Sequence, residues 1–342
     1  MKKHRVAVIG LGMALGPHLQ SLRELSDRVE IAGAYSPTQA RRDAFRGANP
    51  DLPIADDLDA ILADATIDIA FILTPPRTHL ELVERCAAAG KHVLLEKPID
   101  VTVERSQRAV EAMQSSGRRL AIMFQNRFRQ GSRHLTALMR RNALGDLISG
   151  SASVRWWRSA EYFAQPGRGM KARDGGGVLL TQAIHTLDLF LSLTPPVERV
   201  TAMVATSPLR QIDTEDVVAA AIAFAGGAIG TIDATTVAYP GFSERIELAC
   251  EKGTAVLTAG NLTIHWKDGR EEKHGADQGS GGGADPMAFS HHAHKALIVD
   301  FLDAIDGNRE PETNGRDALK VHVLIEAIFA SSGQQAAIRH PR

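Results

Sequence analysis

The chain has 342 residues, of which 44% are hydrophobic, and its 39 lysines and arginines almost balance its 40 aspartates and glutamates. A chain of this length and composition can bury a large apolar core in one or two domains, which excludes an intrinsically disordered protein. Because the formal net charge is only −1, no basic field exists to attract nucleic acid or an anionic membrane, and we expect a small-molecule partner.

Along the first third of the chain, short apolar runs alternate with helix-like segments. The apolar runs cover residues 6–9, 29–35, 69–73, 93–95 and 120–124. The helical patterns cover residues 17–25, 78–89 and 103–116. This alternation predicts a doubly wound parallel sheet with helices on its faces.

A glycine-rich turn, residues 10–16, follows the first predicted strand. Gly10 suits a tight turn, Gly12 lets the backbone approach a pyrophosphate, and the following helix offers its positive amino end to that anion. Leu15 stands where the dinucleotide fingerprint has glycine or alanine. The strand-turn-helix setting predicts a dinucleotide site, and the alternative is an ordinary glycine turn.

The second predicted strand ends at Tyr35-Ser36-Pro37, without the carboxylate that would bind the adenosine ribose of NAD. Arg41 and Arg42 follow on the next turn and could pair with a 2′-phosphate. We therefore expect NAD or NADP as the cofactor, with NADP favoured. The alternative is that both arginines lie on a solvated helix face.

Glu96, Lys97 and Pro98 directly follow the apolar run 93–95, so a carboxylate and an amine stand at the carboxyl end of a predicted strand. Open α/β sheets carry their chemistry at that edge. A lysine held there is a candidate acid, base or anchor. Taken alone, such a tripeptide is more often a solvated turn after a strand.

Beyond residue 124, strand-like runs dominate and predict a second, largely antiparallel sheet. They cover residues 148–157, 197–206, 217–224, 228–237, 245–250, 254–257 and 262–266. The apolar stretch 217–232 is too short and too glycine-rich to span a bilayer, so we interpret it as two buried strands joined by a glycine turn. We expect a first domain over 1–123 and a second over 124–342.

Three glycines, 175–177, lead into an amphipathic helical pattern. On that helix Thr181, His185 and Asp188 fall three or four residues apart and therefore share one face. Asp174 is expected to cap its start. A lone histidine on such a helix is usually structural. Its combination with Glu96-Lys97-Pro98 favours a catalytic role for His185.

The last part of the chain carries a glycine-rich connection, 275–283, which we interpret as a possible lid, and two helical segments, 288–305 and 315–330. Cys86 and Cys250 lie far apart in apolar surroundings, which predicts small buried residues in a reducing compartment, the cytoplasm. Neither a disulfide nor a catalytic thiol is expected. The glycine-broken amino terminus is interpreted as mature protein.

Several motifs together resemble one known family. They are the glycine turn after the first strand, Thr74-Pro75-Pro76 with His79, Glu96-Lys97-Pro98, and the glycine triplet that leads to Gln182 and His185. This combination, spread over nearly the whole chain, is similar to the glucose-fructose oxidoreductase, inositol dehydrogenase and MocA (Gfo/Idh/MocA) family.

The resemblance implies an α/β protein with an amino-terminal Rossmann domain and a carboxyl-terminal α/β domain whose open, mostly antiparallel sheet forms a homodimer or homotetramer. It also implies hydride transfer between a nicotinamide and a carbinol carbon of a sugar, polyol or related hydroxy compound. Lys97 and His185 would be the catalytic pair, and Thr181 would occupy the third catalytic position. Thr181 stands where many members carry an aspartate that assists the histidine, so a strict lysine-aspartate-histidine triad is not expected.

The resemblance also assigns binding residues. The residues expected to bind the cofactor are Gly10, Gly12, Met13, Ala14, Ser36, Arg41, Thr74, Pro75, Pro76, His79, Glu96, Lys97 and Asn126. Those expected to bind the substrate are Lys97, Arg127, Trp157, Arg168, Thr181, Gln182 and His185. Aromatic faces suit the carbon-hydrogen surface of a sugar and arginines suit carboxylates, so Trp156, Arg158 and Tyr162 are further candidates.

Two other functions stay open at this point. The same fold could serve as a non-catalytic cofactor-binding sensor or regulator, or as an enzyme that uses bound NAD transiently to break a glycosidic bond. His291, His292 and His294 invite a metal interpretation, but adjacent histidines point in different directions and the family transfers hydride without a metal, so none is expected.

Overall fold

The structure is a computed structural model that describes residues 3–275 and 290–333. Its strands are β1 (His4–Ile9), β2 (Val29–Tyr35), β3 (Ile69–Ile72), β4 (His92–Leu95), β5 (Leu120–Ile122), β6 (Leu147–Arg155), β7 (Val197–Ala205), β8 (Val217–Phe224), β9 (Ile229–Thr235), β10 (Arg245–Cys250), β11 (Gly253–Thr258), β12 (Asn261–Trp266) and β13 (Glu271–His274). Its helices are α1 (Leu15–Glu24), α2 (Gln39–Ala48), α3 (Leu58–Ala63), α4 (His79–Ala88), α5 (Val103–Ser115), α6 (Gln130–Arg140), α7 (Ala160–Phe163), α8 (Lys171–Asp174), α9 (Ile184–Leu193), α10 (His292–Asp306) and α11 (Gly315–Ser332).

The chain divides into two compact units. The first unit contains Met1–Gln125 and Ser290–Leu319, and the second contains Asn126–Phe289 and Lys320–Arg342. The first segment ends within two residues of the boundary expected after residue 123. The return of 290–319 to the first unit was not expected from the sequence, and its physical basis is the packing of α10 on α1.

The first unit is built on a five-stranded parallel sheet with the order β2-β1-β3-β4-β5. Every residue of β3 is buried, as are three of the four residues of β4. Parallel strands covered by helices on both faces need such continuous apolar sequences. The predicted doubly wound parallel sheet is therefore confirmed.

The second unit contains an eight-stranded sheet with the order β13-β12-β11-β10-β6-β9-β8-β7. Only β6 and β9 pair in parallel, and the other neighbours are antiparallel, so the predicted mostly antiparallel sheet is confirmed. Buried and exposed residues alternate along β8 and β9. One face of these strands is therefore in the core and the other faces outward.

The two strands expected from the apolar stretch 217–232 are β8 and β9, which pair as an antiparallel hairpin across Gly226 and Gly227. A different stretch, Lys171–Leu193, is long and apolar enough to cross a membrane by length and composition alone. However, 78% of its apolar window is buried inside the protein. Such burial is what a core helix of a globular domain shows.

The elements missed by the sequence patterns are α2, α3, α6, α7, α8 and β13. Helices α3, α7 and α8 are short, α2 is strongly charged, and β13 is a four-residue edge strand of charged residues, so none of these five has a clear apolar period. Helix α6 is amphipathic and buries Leu135 and Leu138, so its pattern was present in the sequence but was not predicted. The proposed lid, apart from Gly275, lies outside the described residues. Cys86 and Cys250 are both free and buried, as expected, and burial raises the pKa of their thiols to about 12 and about 11.

His92, at the start of β4, links the stability of the first unit to pH. Its Nδ1 accepts a hydrogen bond from the backbone N–H of Arg119 at 2.9 Å. Burial, aided by the charges of Arg118, His4 and Arg119, lowers the pKa of His92 from 6.5 to about 4. Between those values the unfolded chain binds a proton that the folded chain does not, so the free energy of unfolding must fall as the pH falls.

We expect His92→Gln, whose side-chain oxygen can accept the same hydrogen bond, to flatten the pH dependence of stability between pH 6.5 and pH 4. The measurement is the urea-unfolding free energy of both proteins across this range. Carboxylates also titrate in this range, but they do so in both proteins. The effect of His92 is therefore the difference between the two curves of unfolding free energy against pH. Parallel curves would contradict the assignment of this pH dependence to His92.

Candidate active site

Most of the residues expected to bind the cofactor lie in loops that follow the carboxyl ends of neighbouring parallel strands. These strands end at the same row of paired residues. The paired row at this level is, in sheet order, Tyr35, Ile9, Ile72 and Leu95. Gly10, Ser36 and Glu96 each follow this row by one residue, and Thr74 follows it by two. The register therefore brings three separate motifs of the sequence to the same edge of the sheet, where doubly wound folds bind ligands.

Gly10 makes the tight turn that the sequence predicted. Its φ is +110°, and its N–H donates to the carbonyl oxygen of Tyr35 at 2.8 Å. A Cβ at this position would lie 2.6 Å from the carbonyl carbon of Leu73. Both the backbone angle and the neighbouring strand thus require glycine here.

The turn from Gly12 to α1 has the features of an anion cradle. A Cβ on Gly12 would meet only Nη1 of Arg41 within 4 Å, at 3.8 Å, so space remains over the backbone. Ala14, at the N-cap of α1, has no side-chain acceptor, and Met13 is largely exposed. The backbone donors of the turn and the positive end of the helix therefore fit a pyrophosphate.

The two arginines after β2 have different surroundings. Arg42 donates from Nη1 to the carbonyl oxygen of Ser36 at 2.7 Å, and its Nε lies 3.3 Å from Asp56. Arg42 thus holds the turn after β2 in place. Arg41 is exposed and reaches the glycine turn, so of the pair only Arg41 is placed to meet a phosphate.

His79 connects two loops at the sheet edge and is wholly buried. Its Nε2 lies 2.8 Å from the carbonyl oxygen of Thr74, and its Nδ1 lies 2.9 Å from that of Pro98. Burial lowers the pKa of His79, although the surrounding carbonyl groups oppose the shift. His79 therefore supports the loop of Thr74-Pro75-Pro76, and its direct contact with a cofactor stays a prediction.

Glu96 is a carboxylate held in a fixed position. Its Oε1 lies 2.7 Å from Nε2 of the wholly buried His18, and its Oε2 accepts the backbone N–H of Lys97 at 3.1 Å. Burial acts to raise the pKa of Glu96, but the hydrogen bond from His18 and the charges of His18, Lys97 and His294 outweigh it and hold that pKa below its ordinary value. Glu96 is thus an acceptor suited to sugar hydroxyls.

Lys97 lies between Glu96 and Pro98 at the carboxyl end of β4, and the Lys97–Pro98 peptide bond is cis. Its side chain is partly buried. The amine is thus carried by the edge of the sheet at the level of the glycine turn, which is where the sequence predicted it.

In the second unit, the predicted catalytic helix begins with a π-helical turn, Leu179–Ala183, and continues as α9. Such wide turns are rare and occur often at functional sites. Thr181 donates its hydroxyl to the carbonyl oxygen of Gly177 at 2.6 Å, and Gln182 donates to the hydroxyl of Tyr162 at 3.1 Å. His185 follows in the first turn of α9 and is partly buried.

Glu215, which the sequence offered only as a weaker feature of the family resemblance before a strand, caps the start of this helix. Its carboxylate accepts the N–H of Gly177 at 2.9 Å and that of Leu179 at 3.0 Å. A Cβ on Gly177 would lie 1.8 Å from the carbonyl oxygen of Glu215, so only glycine fits there. The prediction that Asp174 caps this helix was wrong, because the Asp174 carboxylate accepts the N–H of Gly169 at 2.8 Å instead.

Asp188 and Arg127 form a buried ion pair. The Arg127 Nε and Nη2 donate to the two carboxylate oxygens of Asp188 at 2.7 and 2.6 Å. These two hydrogen bonds use the edge of the guanidinium that carries Nε and Nη2, and the contact of Arg127 with a substrate stays a prediction. Asp188 shares the helix with His185 but is a structural partner of Arg127, which the sequence had placed among the substrate residues. Asn126, beside Arg127, is buried.

The expected sugar-binding side chains form layers of rings and guanidinium groups in the second unit. Arg168 lies over the Tyr162 ring at 5.0 Å, and Arg158 lies over the Trp156 ring at 4.9 Å. Trp157 instead packs against the exposed Tyr239, with 5.5 Å between centroids. Tyr162 therefore contacts both Arg168, through its ring, and Gln182, through its hydroxyl. Thr181 precedes Gln182 in the sequence.

The histidines near residue 291 do not converge on one point. Nε2 of His291 lies 2.7 Å from Oε1 of Glu24, whereas His294 is buried with its ring edge to face with His18. Ligand atoms of His18, Glu96 and His294 lie within 4.8 Å of one another. However, the 2.7 Å His18–Glu96 contact is a hydrogen bond, shorter than the roughly 3.3 Å between two tetrahedral zinc ligands.

Family profiles match two parts of the chain. The profile "Oxidoreductase family, NAD-binding Rossmann fold" matches residues 4–124, and the profile "GFO/IDH/MocA C-terminal domain" matches residues 132–256. The WlbA dehydrogenase from Bordetella pertussis, solved in complex with NADH and UDP-GlcNAcA, is 28% identical with a TM-score of 0.82 and full coverage (100%) of both chains.

Two curated relatives are also similar over most of their length. The D-apiose dehydrogenase of Paraburkholderia graminis is 27% identical over 345 residues, which cover 97% of this chain and 88% of the relative. The inositol 2-dehydrogenase of Rhizobium meliloti is 29% identical over 291 residues, which cover 82% and 83%.

We expect Glu215→Gln to lower the free energy of unfolding by roughly 1–3 kcal/mol, because one buried N–H at the helix start would then face an amide NH2 instead of an oxygen. Urea unfolding near pH 7 measures the change. The matched control is Glu198→Gln on β7, where the side chain is exposed and the effect should stay within about 0.5 kcal/mol. Equal stability of both variants would contradict the capping role.

Proposed function

This chain belongs to the GFO/IDH/MocA family of NAD-binding oxidoreductases, and from that premise we propose that Lys97 and His185 drive hydride transfer between a nicotinamide and a carbinol carbon of a sugar or polyol. The resemblance noted from the sequence motifs is confirmed, as is the class of enzyme, a dehydrogenase. The observation that supports the proposal most is the shared sheet-edge level of Gly10, Ser36 and Glu96, with Lys97 next in sequence.

Each residue has a separate part in the proposed reaction. The bound nicotinamide supplies the acceptor or donor of the hydride. During oxidation, His185 takes the hydroxyl proton as the hydride leaves the carbinol carbon, so the substrate loses a hydride and a proton, in total two electrons and two protons, and becomes a carbonyl. Lys97 donates a hydrogen bond to the same oxygen and stabilises its developing negative charge. Glu96, held by His18, accepts hydrogen bonds from the nicotinamide ribose.

The proposed mechanism gives Thr181 no charge-stabilising part. Its hydroxyl bonds back to the Gly177 carbonyl oxygen, and threonine carries no charge with which to stabilise an imidazolium. The orientation of His185 is then supplied by the helix that Glu215 caps. We therefore propose that Lys97 and His185 alone form the catalytic pair. Thr181 is proposed to contact the substrate from the same helix.

The proposed substrate class is a sugar, a polyol or a sugar derivative. Relatives named for D-apiose and inositol, and the UDP-GlcNAcA bound by WlbA, belong to this class. In this chain, the Tyr162 ring and the Gln182 amide offer an aromatic face and hydrogen-bonding groups, and Arg168 adds a positive charge beside them. Such a set suits hydroxyl-rich compounds.

The cofactor is proposed to be NAD or NADP. The sequence favoured NADP because of Arg41 and Arg42, but Arg42 is bound to Ser36 and Asp56, and the similar WlbA enzyme was solved with NADH. The NADP preference therefore rests on Arg41 alone. The ratio of kcat/KM for the two cofactors decides it, and a ratio that favours NAD by tenfold or more would make the NADP preference wrong.

We propose a homodimer or homotetramer formed through the outward face of the second sheet. Met203 and Ile229 are 64% and 65% exposed on that face, and the residues between them, Ala219, Ala221 and Ala223, are small. Exposed apolar side chains on a sheet face are one mark of an interface. Light scattering should show a multimer that Ile229→Lys shifts toward monomer, and a monomeric wild-type chain would contradict the proposal.

The cellular setting is also a proposal. Two free, buried cysteines suit a reducing cytoplasm, and the nearly balanced charge gives no basis for a nucleic-acid or membrane partner. Cell fractionation with an antibody against the chain tests the location. Recovery in an oxidising compartment would overturn it.

A spectrophotometric screen of aldoses, polyols, sugar acids and anhydro-sugars with oxidised and reduced NAD and NADP tests the function. Net cofactor reduction by a hydroxy compound is the expected result. Tight cofactor binding with no turnover of any compound would favour a sensor or regulator instead. Release of a sugar from a glycoside without net cofactor reduction would favour a glycosidase.

On a substrate found by that screen, we expect Lys97→Met and His185→Ala each to lower kcat by about 10²–10⁴-fold, because each removes a group that acts on the reacting oxygen. The dissociation constant of the cofactor should stay nearly unchanged, as measured by fluorescence titration. The controls are Lys267→Met and His265→Ala, whose side chains are exposed. Wild-type rates in both Lys97→Met and His185→Ala would contradict the assignment.

A further inference from the structure

One edge of the Arg168 guanidinium makes no hydrogen bond within the part of the chain that the structure describes, although the side chain is only 14% exposed. The guanidinium donates from Nη1 alone, to Oδ1 of Asp174 at the long distance of 3.4 Å. Its Nε is buried and has no partner among the described residues. Buried donors without a partner are uncommon in proteins, so the edge formed by Nε and Nη2 calls for an acceptor.

Arg127 shows what this edge of a guanidinium can bind. Its Nε and Nη2 donate to the two oxygens of Asp188 at 2.7 and 2.6 Å. A carboxylate fits the Nε–Nη2 edge because its two oxygens lie in one plane and are spaced like the two N–H groups. The edge that Arg168 leaves without an acceptor is therefore suited to a carboxylate that does not belong to the described residues.

Arg168 is held beside the side chains that are proposed to bind the substrate. Its guanidinium lies 5.0 Å from the centre of the Tyr162 ring, and the Tyr162 hydroxyl accepts the amide of Gln182 at 3.1 Å. Arg168, Tyr162, Thr181 and Gln182 line one pocket. His185 follows four residues after Thr181, where the π-helical turn continues as α9. A group bound to Arg168 would therefore be a part of the substrate of the proposed reaction.

The acidic side chains of the same pocket have donors of their own. Both oxygens of Glu215 accept backbone N–H groups, and both oxygens of Asp216 accept hydrogen bonds from Ser207. The second oxygen of Asp174 accepts the N–H of Gly169 at 2.8 Å. These carboxylates are thus fixed by other groups, and none of them binds the Nε–Nη2 edge.

We propose that the Nε–Nη2 edge of Arg168 binds a carboxylate of the substrate, so that the substrate is a sugar acid. The inference rests on the proposed function, because it takes the pocket beside Gln182 as the substrate site. The Arg158 guanidinium lies 5.7 Å from the same Tyr162 ring and adds a second positive charge, which favours an anion. A carboxylate is favoured over a phosphate, because the charge of Asp174 repels a dianion more strongly than a monoanion.

The test compares the binding of sugar acids with that of their neutral counterparts. Glucuronate, galacturonate and gluconate, and beside them glucose, galactose and glucitol, are titrated by calorimetry into the full-length protein saturated with NADH or NADPH. At least one acid should bind about tenfold or more tightly than its counterpart, since two hydrogen bonds to a charged group are added. Equal binding within every pair, or tighter binding of glucose 6-phosphate than of any acid, would overturn the proposal.

Arg168→Met should weaken the binding of that acid by about tenfold to a hundredfold and leave its neutral counterpart nearly unchanged. Arg168→Lys keeps the charge but not the two parallel donors, so it should restore only a part of the loss. The matched control is Arg140→Met, which removes an exposed charge from α6 of the same unit and should change neither affinity. Unchanged binding of the neutral compound also shows that a variant is folded. An equal loss for both members of a pair would make Arg168 a structural residue and the proposal wrong.

Turnover separates this inference from the proposed function. If a neutral sugar is oxidised as fast as its acid, and Arg168→Met leaves the ratio of their kcat/KM values unchanged, the dehydrogenase function stands and the carboxylate site is wrong. If the acids bind through Arg168 but neither they nor the neutral compounds are oxidised, the carboxylate site stands and the proposed reaction is wrong.

Discussion

The first unit depends on one constraint: the strands of its parallel sheet are covered on both faces, so polar groups are accommodated only beyond the strand ends. β3 is buried throughout and β4 nearly so, and all their backbone groups pair with neighbouring strands or must be satisfied at the edge. The register then places Gly10, Ser36 and Glu96 at one level. A cofactor site follows from the same hydrogen bonding that makes the sheet.

A buried carboxylate has a comparable importance in each unit. In the first, His18 and the N–H of Lys97 hold the two oxygens of Glu96. In the second, the two oxygens of Glu215 accept N–H groups at the start of the helix that carries His185. Burying a charged group costs free energy unless hydrogen bonds compensate it. Both carboxylates are fully engaged in this way, so the proposed Lys97 and His185 are both carried by rigid surroundings.

Local patterns predicted the elements well where an apolar period was strong. The runs 29–35, 217–224 and 245–250 coincide with β2, β8 and β10. The errors came where partners distant in sequence decide the role of a side chain. Asp174 has the right residue type and place for a helix cap, but a loop some forty residues later supplies Glu215 instead. The ion pair of Arg127 with Asp188 was also not predicted from the sequence, and the contact of Arg127 with a substrate stays a prediction.

The sequence by itself determined the family, the two kinds of sheet, the glycine turn at Gly10 and the candidate pair Lys97 and His185, because these depend on short motifs and on residue periodicity. Only the tertiary structure decided which polar groups are already bonded to one another. It assigned the helix cap to Glu215, separated Arg41 from Arg42, and paired Arg127 with Asp188. The physical reason is that hydrogen bonds and ion pairs join residues through space, and no local pattern of the chain records those distances.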